Sequence, residues 1–192
     1  MKKIFLSAAA LSMLFVSCSN DETTIQKEEQ HVAYRAKQQT ELTAVITEVY
    51  DNCHSINEQD NKLITTVEAV AMETLSFKAL VDSSYTTPTL AELNAVDQNP
   101  QLQIAQMSYR TKVKEQLELL LDENVAISYL GNTDYSKDEQ ELLETCRLLT
   151  DSGNGNGGNW GNNDAKNKTA FAQGYQTSRA KAVIMVVLAG RK

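Results

Sequence analysis

The stretch Ala182-Val183-Ile184-Met185-Val186-Val187-Leu188-Ala189 decides the fold class of this chain. Eight apolar residues rich in β-branched side chains fit either a buried strand or a buried helix. The run is too short to cross a bilayer. In a helical domain a lone strand would have nothing to pair with, so we interpret residues 182–189 as a buried helix. Insertion into a membrane or into a partner's groove is a second option for the same run.

The residues before this run extend the helical pattern and then interrupt it. A single helical face is predicted to carry Phe171, Tyr175, Ser178, Ala182, Met185 and Ala189. Upstream, residues 153–163 contain five glycines and five asparagines, a composition that does not hold a helix. We therefore predict a flexible loop over residues 151–164, before the last helix. A plain linker is the favoured interpretation, with Trp160 as a candidate partner contact. A single glycine-rich copy with one aspartate, Asp164, is a poor match to repeated calcium sites.

Helical periodicity also marks most of the chain from residue 38 onward. A first apolar stripe contains Leu42, Val45, Ile46, Val49, Cys53 and Ile56. A second stripe, from Leu63 to Leu75, marks a helix that is predicted to end near Val81. Thr87 is predicted to cap a helix that begins at Pro88, and Asn99-Pro100 repeats the device. One long helix is predicted from Leu102 to Leu120. Ser136 to Glu139 forms a capping box ahead of Leu142, Leu143, Cys146 and Leu149. The prediction is an all-α bundle of five or six helices in a single domain over residues 38–192.

The N-terminus has the pattern of a cleavable export signal. Lys2 and Lys3 precede thirteen apolar or small residues, 4–16, and Ser17-Cys18 follow. This length suits the apolar core of a signal peptide. A small residue before a cysteine indicates cleavage by a lipoprotein signal peptidase, which leaves a lipidated Cys18 as the first residue. We predict a signal peptide over residues 1–17 and a polar tether over residues 18–37. An ordinary secretory signal that leaves a free Cys18 is the alternative.

Composition limits the functions that remain for the mature chain. Loss of 17 of the 192 residues leaves 175, and loss of two lysines shifts the formal net charge from −7 to −9. This length suits one domain with one core. An acidic balance argues against nucleic-acid binding, which needs a basic surface. An aromatic content of 6% is low for a surface that stacks sugars.

The residues after Cys18 carry a family resemblance. Ser19-Asn20-Asp21-Glu22 resembles the start of many Bacteroidetes-type lipoproteins, in which acids soon after the cysteine act as a surface-export signal. The capped helices and the late Gly/Asn-rich loop are similar to those of uncharacterised helical lipoproteins of the same type. The resemblance implies a lipid anchor in the outer membrane, facing the periplasm or the cell surface. It implies no activity.

Few residues suggest chemistry. Cys53 and Cys146 both fall on apolar stripes, and they are either a disulfide or two separate buried thiols. The Cys53-His54 pair has no further ligands at zinc-like spacing, so we predict no metal site. The acids Asp138, Glu139, Glu141 and Glu144 are interpreted as a solvated first helical turn. No nucleophile elbow, phosphate loop or dinucleotide fingerprint is present, and we predict neither a cofactor nor an enzyme.

Three functions fit these observations. The first is a non-enzymatic helical interaction or accessory module of the cell envelope, held on the membrane by lipid and bound to an envelope protein. The second is a small-ligand binder with a cavity between helices. The third is a surface effector whose C-terminal helix acts on other membranes. We favour the first.

Overall fold

A computed structural model describes residues 41–121, 134–149 and 164–191, all within one compact unit, Gln39–Lys192. These residues form helices and no strand, so the all-α prediction is confirmed. The predicted number of five or six helices is wrong, because the described ranges alone contain nine. They are α1 (Glu41–Cys53), α2 (Asp60–Glu73), α3 (Leu75–Leu80), α4 (Leu90–Gln98), α5 (Pro100–Gln106), α6 (Thr111–Leu121), α7 (Lys137–Leu148), α8 (Asp164–Tyr175) and α9 (Arg179–Ala189).

Helices α8 and α9 form a hairpin at the centre of the unit. Every residue from Ala180 to Ala189 is buried, so the helical interpretation of 182–189 is confirmed. Helices α1, α2, α3 and α4 pack on α9, while α4, α5, α6 and α7 pack on α8. We call residues 164–191 the central hairpin, and residues 41–121 and 134–149 the outer helices. Burial on all sides explains why α9 lacks an amphipathic stripe.

The prediction of a single last helix from Phe171 to Ala189 is wrong, because the chain reverses after Tyr175. The backbone N–H groups of Thr177 and Ser178 donate to the carbonyl of Gly174 at 3.0 and 3.1 Å, and Ser178 then caps α9 by accepting from Lys181 N at 3.1 Å. A Cβ added to Gly174 would lie 2.6 Å from Ala182 Cα. The glycine is therefore what allows the two helices to cross so closely.

Two other predicted helices are also broken in the structure. The second helix ends at Glu73, and Thr74 is extended and buried before α3 begins. The long helix over 102–120 is interrupted after Gln106, where Met107 turns extended and enters the core. Leu102 is 50% exposed, so it does not belong to the predicted buried stripe. At each break the helix ends at an extended residue, Thr74 or Met107, whose side chain is buried.

The helix starts were predicted with mixed success. The capping box of Ser136 and Glu139 is confirmed, as is Asn99 as the cap before Pro100. The predicted cap at Thr87 is wrong: Thr89 caps α4 and forms a capping box with Glu92. Thr87 instead donates its hydroxyl to Glu68 Oε1 at 2.7 Å. Spacing explains the error, because Thr89 is the threonine that has a glutamate three residues later.

Candidate functional site

Two lysines of the central hairpin are bound by acids of α4. Lys181 Nζ lies 2.7 Å from Glu92 Oε1 and 3.2 Å from Thr86 Oγ1, and the lysine residue is only 5% exposed. Lys166 Nζ lies 2.5 Å from Asp97 Oδ1. Burial alone would raise the pKa of Glu92, but hydrogen bonds from Lys181 and Thr89 outweigh it and hold that pKa below its usual value. Helix α4 therefore carries two fixed negative charges toward the hairpin.

A third lysine of the hairpin binds the end of α6. The buried Lys168 ammonium donates to the carbonyl of Leu120, in the last turn of that helix. Carbonyl groups at a helix C-terminus carry partial negative charge and attract cations. The backbone of Lys168 also contacts α7, where Cys146 Sγ lies 3.7 Å from the carbonyl oxygen of Lys168. Burial raises the pKa of the Cys146 thiol to about 12, although Lys168 opposes the shift.

The turn of the hairpin is bound by α7. Glu141 Oε2 accepts from the Tyr175 hydroxyl at 2.5 Å and from Arg179 Nε at 2.7 Å. Burial first, and then the hydrogen bond to Glu141, raise the pKa of Tyr175. In the adjoining loop, Ser108 N and Oγ both donate to Gln176 Oε1 at 2.8 Å. Two separate elements thus fix the position of the reversal.

The acids of α7 differ from the sequence-based interpretation, which took all four as solvated. Glu139 binds the guanidinium of Arg110, and Glu144 Oε1 lies 2.6 Å from Arg147 Nη2. With Glu141 on Arg179, three of the four acids form ion pairs. The interpretation was wrong for these three because their partners lie on other elements or one turn away. Only the exposure of Asp138 agrees with it.

These groups are poorly suited to acid–base catalysis. The pKa values of Cys53, Cys146, Tyr85, Tyr109 and Tyr175 are all raised, chiefly by burial, and those of Glu92 and Glu139 are lowered. Each shift moves the pKa of the group further from pH 7. A general acid or base works best with a pKa near the operating pH. The arrangement is instead suited to holding the hairpin in one register.

The two cysteines that sequence analysis singled out lie in different surroundings. Both Cys53 and Cys146 are buried, and in the structure both are free thiols. Burial raises the pKa of both thiols. The nearby charge that opposes this rise is Arg191 for Cys53 and Lys168 for Cys146. Of the other singled-out residues, Cys18 and Trp160 lie outside the described residues. So do the predicted signal peptide, the tether and most of the predicted loop at 151–164.

The Cys53-His54 pair does not converge on one point. Cys53 faces the core, while His54 is exposed with its Nδ1 2.6 Å from the carbonyl oxygen of Asp51. Within 41–121, 134–149 and 164–191, no group of three or more His, Cys, Asp or Glu side chains could hold a metal ion. Over the same ranges, no helix combines the length and apolar character that a membrane crossing requires.

Sequence reasoning missed the basic residues of the hairpin. Lys166, Lys168 and Lys181 are buried in contact with the outer helices, and Arg179 joins them at the turn. A signal was present in the charge distribution: residues 164–191 contain five basic residues and one acid, whereas the outer helices contain seven and seventeen. Basic residues within the most apolar part of an acidic chain indicate buried pairs.

The outer helices also expose three large apolar side chains. Leu75 is 80% exposed on α3, Leu102 is 50% exposed on α5 and Leu119 is 47% exposed on α6. Single exposed leucines are ordinary on a protein surface. They are nevertheless the available apolar contact positions in the described part of the chain.

No family model, curated protein or solved structure matches this chain.

Proposed function

We propose that this protein is a membrane-anchored lipoprotein whose helical domain is a non-enzymatic interaction or accessory module of the cell envelope. The anchor is the lipid on Cys18, after removal of residues 1–17, and the resemblance of residues 19–22 favours the outer membrane. Several acyl chains together make such an anchor long-lived, since each buried CH₂ contributes about 0.8 kcal/mol.

One observation carries the non-enzymatic part of this proposal. Three acids of the outer helices, Glu92, Asp97 and Glu141, are held in ion pairs with the central hairpin, so their carboxylates serve packing in the described part of the chain. The accessible features of the described residues are helix faces with a few exposed leucines, which suit contact with another protein.

The effector hypothesis loses support from the burial of the C-terminal helix. Residues 180–189 are at most 5% exposed, so α9 has no apolar surface to offer a lipid bilayer while the domain is folded. Membrane action by α9 would require the whole core to open.

The test of the anchor is chemical. The protein is purified from its own membranes in detergent, and the mass of its N-terminal peptide is measured. We expect a diacylglyceryl-modified Cys18 as the first residue. Cys18→Ala should abolish the modification and release the protein from membranes, while Cys53→Ala, the matched control at a buried thiol, should leave both unchanged. An unmodified N-terminal cysteine would contradict the anchor.

The test of the interaction module uses gentle crosslinking and pull-down of the lipidated protein. We expect a reproducible envelope protein that is lost with Cys18→Ala. Single variants Leu75→Ser, Leu102→Ser and Leu119→Ser, all at exposed positions, should identify the contact face by loss of the crosslink in one of them. Recovery of no protein, together with a small molecule that co-purifies, would replace the proposal with the ligand-binding alternative.

A further inference from the structure

A buried threonine and an exposed leucine stand next to each other at the break between α2 and α3. Thr74 is 5% exposed, whereas Leu75, which the helical pattern places among the buried positions, is 80% exposed. Leu102 and Leu119, the other large apolar side chains exposed in the described ranges, are only half-exposed. Folding normally buries the leucine and leaves the threonine in water, because burial of apolar area is favourable and burial of a hydroxyl is not. The reversed arrangement distinguishes Leu75 from an ordinary surface leucine.

Hydrogen bonds to α1 hold Leu75 in this outward position. On one side of it, Asn52 Nδ2 donates to the buried hydroxyl of Thr74 at 3.2 Å. On the other side, Ser76 Oγ donates to Glu48 Oε2 at 2.5 Å. The two chain neighbours of Leu75 are therefore attached to the same outer helix. An apolar side chain on a backbone held in this way loses little conformational freedom when a partner covers it, which favours binding.

The surface of α1 beside Leu75 is acidic. Four exposed residues of this helix follow one another at intervals of three or four, so they share one face, and three of them are acids: Glu41, Glu48 and Asp51. Helix α1 contains no lysine or arginine, and Lys78 is the one base of α3. We call Leu75 and these three acids the α1/α3 face. It has an apolar centre and an acidic border.

We propose that the α1/α3 face is the surface through which the protein binds its envelope partner, and that the partner contributes a basic segment whose apolar side chain covers Leu75. Charge complementarity identifies this occupant. Lysine or arginine side chains around the apolar contact meet the three acids of α1, whereas an acidic segment is repelled. The inference rests on the proposed function, since it names the contact face and the chemistry of the partner.

Site-specific photocrosslinking tests the face on the lipidated, full-length protein in its own membranes. A benzophenone side chain is placed at Ala79, which is exposed on α3 four residues after Leu75. The matched position is Ala105, which is exposed on α5 three residues after Leu102. We expect a crosslink from position 79 and none from position 105. The captured peptide should contain lysine or arginine together with an apolar residue.

Variants of the face show whether the captured protein depends on it. Leu75→Ser removes the apolar centre, and Glu41→Lys with Asp51→Lys reverses the border while it keeps the hydrogen bond between Glu48 and Ser76. Each should lower the crosslinking yield from position 79 by about tenfold. Urea unfolding of each variant checks that the domain stays folded.

The control variants make the same changes elsewhere on the surface. Leu102→Ser alters a half-exposed leucine of α5, and Glu115→Lys with Glu118→Lys reverses two exposed acids of α6. Both controls should leave the yield from position 79 within about twofold of wild type.

The outcomes separate this inference from the proposed function. A crosslink from position 105 instead of 79, or the same yield in the face variants and the controls, would overturn the α1/α3 face. A captured peptide without a basic residue would overturn the chemistry assigned to the partner. Silence at both positions, while the pull-down still recovers a partner that depends on Cys18, would also overturn the face. Failure of the pull-down itself would instead contradict the proposed function.

Discussion

The outer helices and the central hairpin follow different rules of sequence. The outer helices alternate buried and exposed positions and carry seventeen acids to seven bases. The hairpin is buried over most of its length, carries five bases to one acid and has no polar face. A helix covered on one side must be amphipathic, whereas a helix covered on every side is free of that requirement. The hairpin therefore forms the centre of the core, while each outer helix adds one buried face to the core and one exposed face to the surface.

The largest test of this comparison removes apolar volume from the hairpin. Ile184 is fully buried in α9, so Ile184→Ala should lower the free energy of unfolding by about 2–5 kcal/mol through lost burial and a residual cavity. Leu75→Ala, at an 80% exposed position on α3, should change it by less than about 0.5 kcal/mol. Urea unfolding measures both. Equal effects would mean that burial of α9 does not stabilise the fold.

The next test fills the crossing point of the hairpin. Gly174→Ala places a methyl group against the backbone of Ala182, which cannot move aside as a flexible side chain would. We expect a loss of about 1–3 kcal/mol, typical of overpacking. Gly190→Ala is the control, because Gly190 has an ordinary helical φ of −69°. A variant at 174 that is as stable as wild type would show that α8 and α9 separate easily.

A third test compares ion pairs in the two regions. Glu92→Gln keeps a side chain that can complete the capping box but leaves the buried Lys181 without its carboxylate, and we expect a loss of about 1–2 kcal/mol, since Glu92 is itself partly exposed. Glu58→Gln removes the partner of Lys62, whose side chain is 71% exposed, and should cost less than about 0.5 kcal/mol. Thermal unfolding measures both variants. If they lose the same stability, the ion pair between α4 and the hairpin contributes no more than an exposed one.

The smallest effect concerns alkaline pH. Burial raises the pKa of Cys146 above its ordinary value of 9.0, so the folded state keeps a proton that the unfolded chain loses. The contribution of this thiol to stability is therefore complete below pH 9 and falls as the pH rises above it. Between about pH 8 and 9.5 we expect a decline of less than about 1 kcal/mol from this thiol. Cys146→Ala should show a shallower decline in urea unfolding at the two pH values, and an identical decline would mean that the thiol is accessible.

The parts of the fold that sequence predicts are those with a local cause. The stripe that starts at Leu42 and the capping box at Ser136 depend on spacing within one or two turns. The capping box is correct, and the stripe is correct as far as Cys53, where the helix ends before the predicted Ile56. The breaks at Thr74, Met107 and Gln176 depend on what the interrupted helix meets elsewhere in the fold. Sequence periodicity continues through such points, so the number of helices was underestimated.

The same distinction applies to the polar contacts. The partners of Lys181 and Arg179 lie 89 and 38 residues away in sequence, on α4 and α7. No spacing rule connects such residues, since the hairpin brings them together only when it is in place. The sequence shows that the hairpin carries basic residues and the outer helices acids, but it does not show which of them pair.

The position of the hairpin has a consequence for biosynthesis. The ribosome makes all seven outer helices before it reaches residues 180–189, on which α1 to α4 pack. Until then neighbouring outer helices can contact one another, but the faces of α1 to α4 that pack on α9 have no partner, because that partner lies far along the chain. The core is therefore completed only when the last helix has been made. Chains that stop before α9 lack the buried residues 180–189, and the faces of α1 to α4 that pack on them are left open to solvent and to proteolysis.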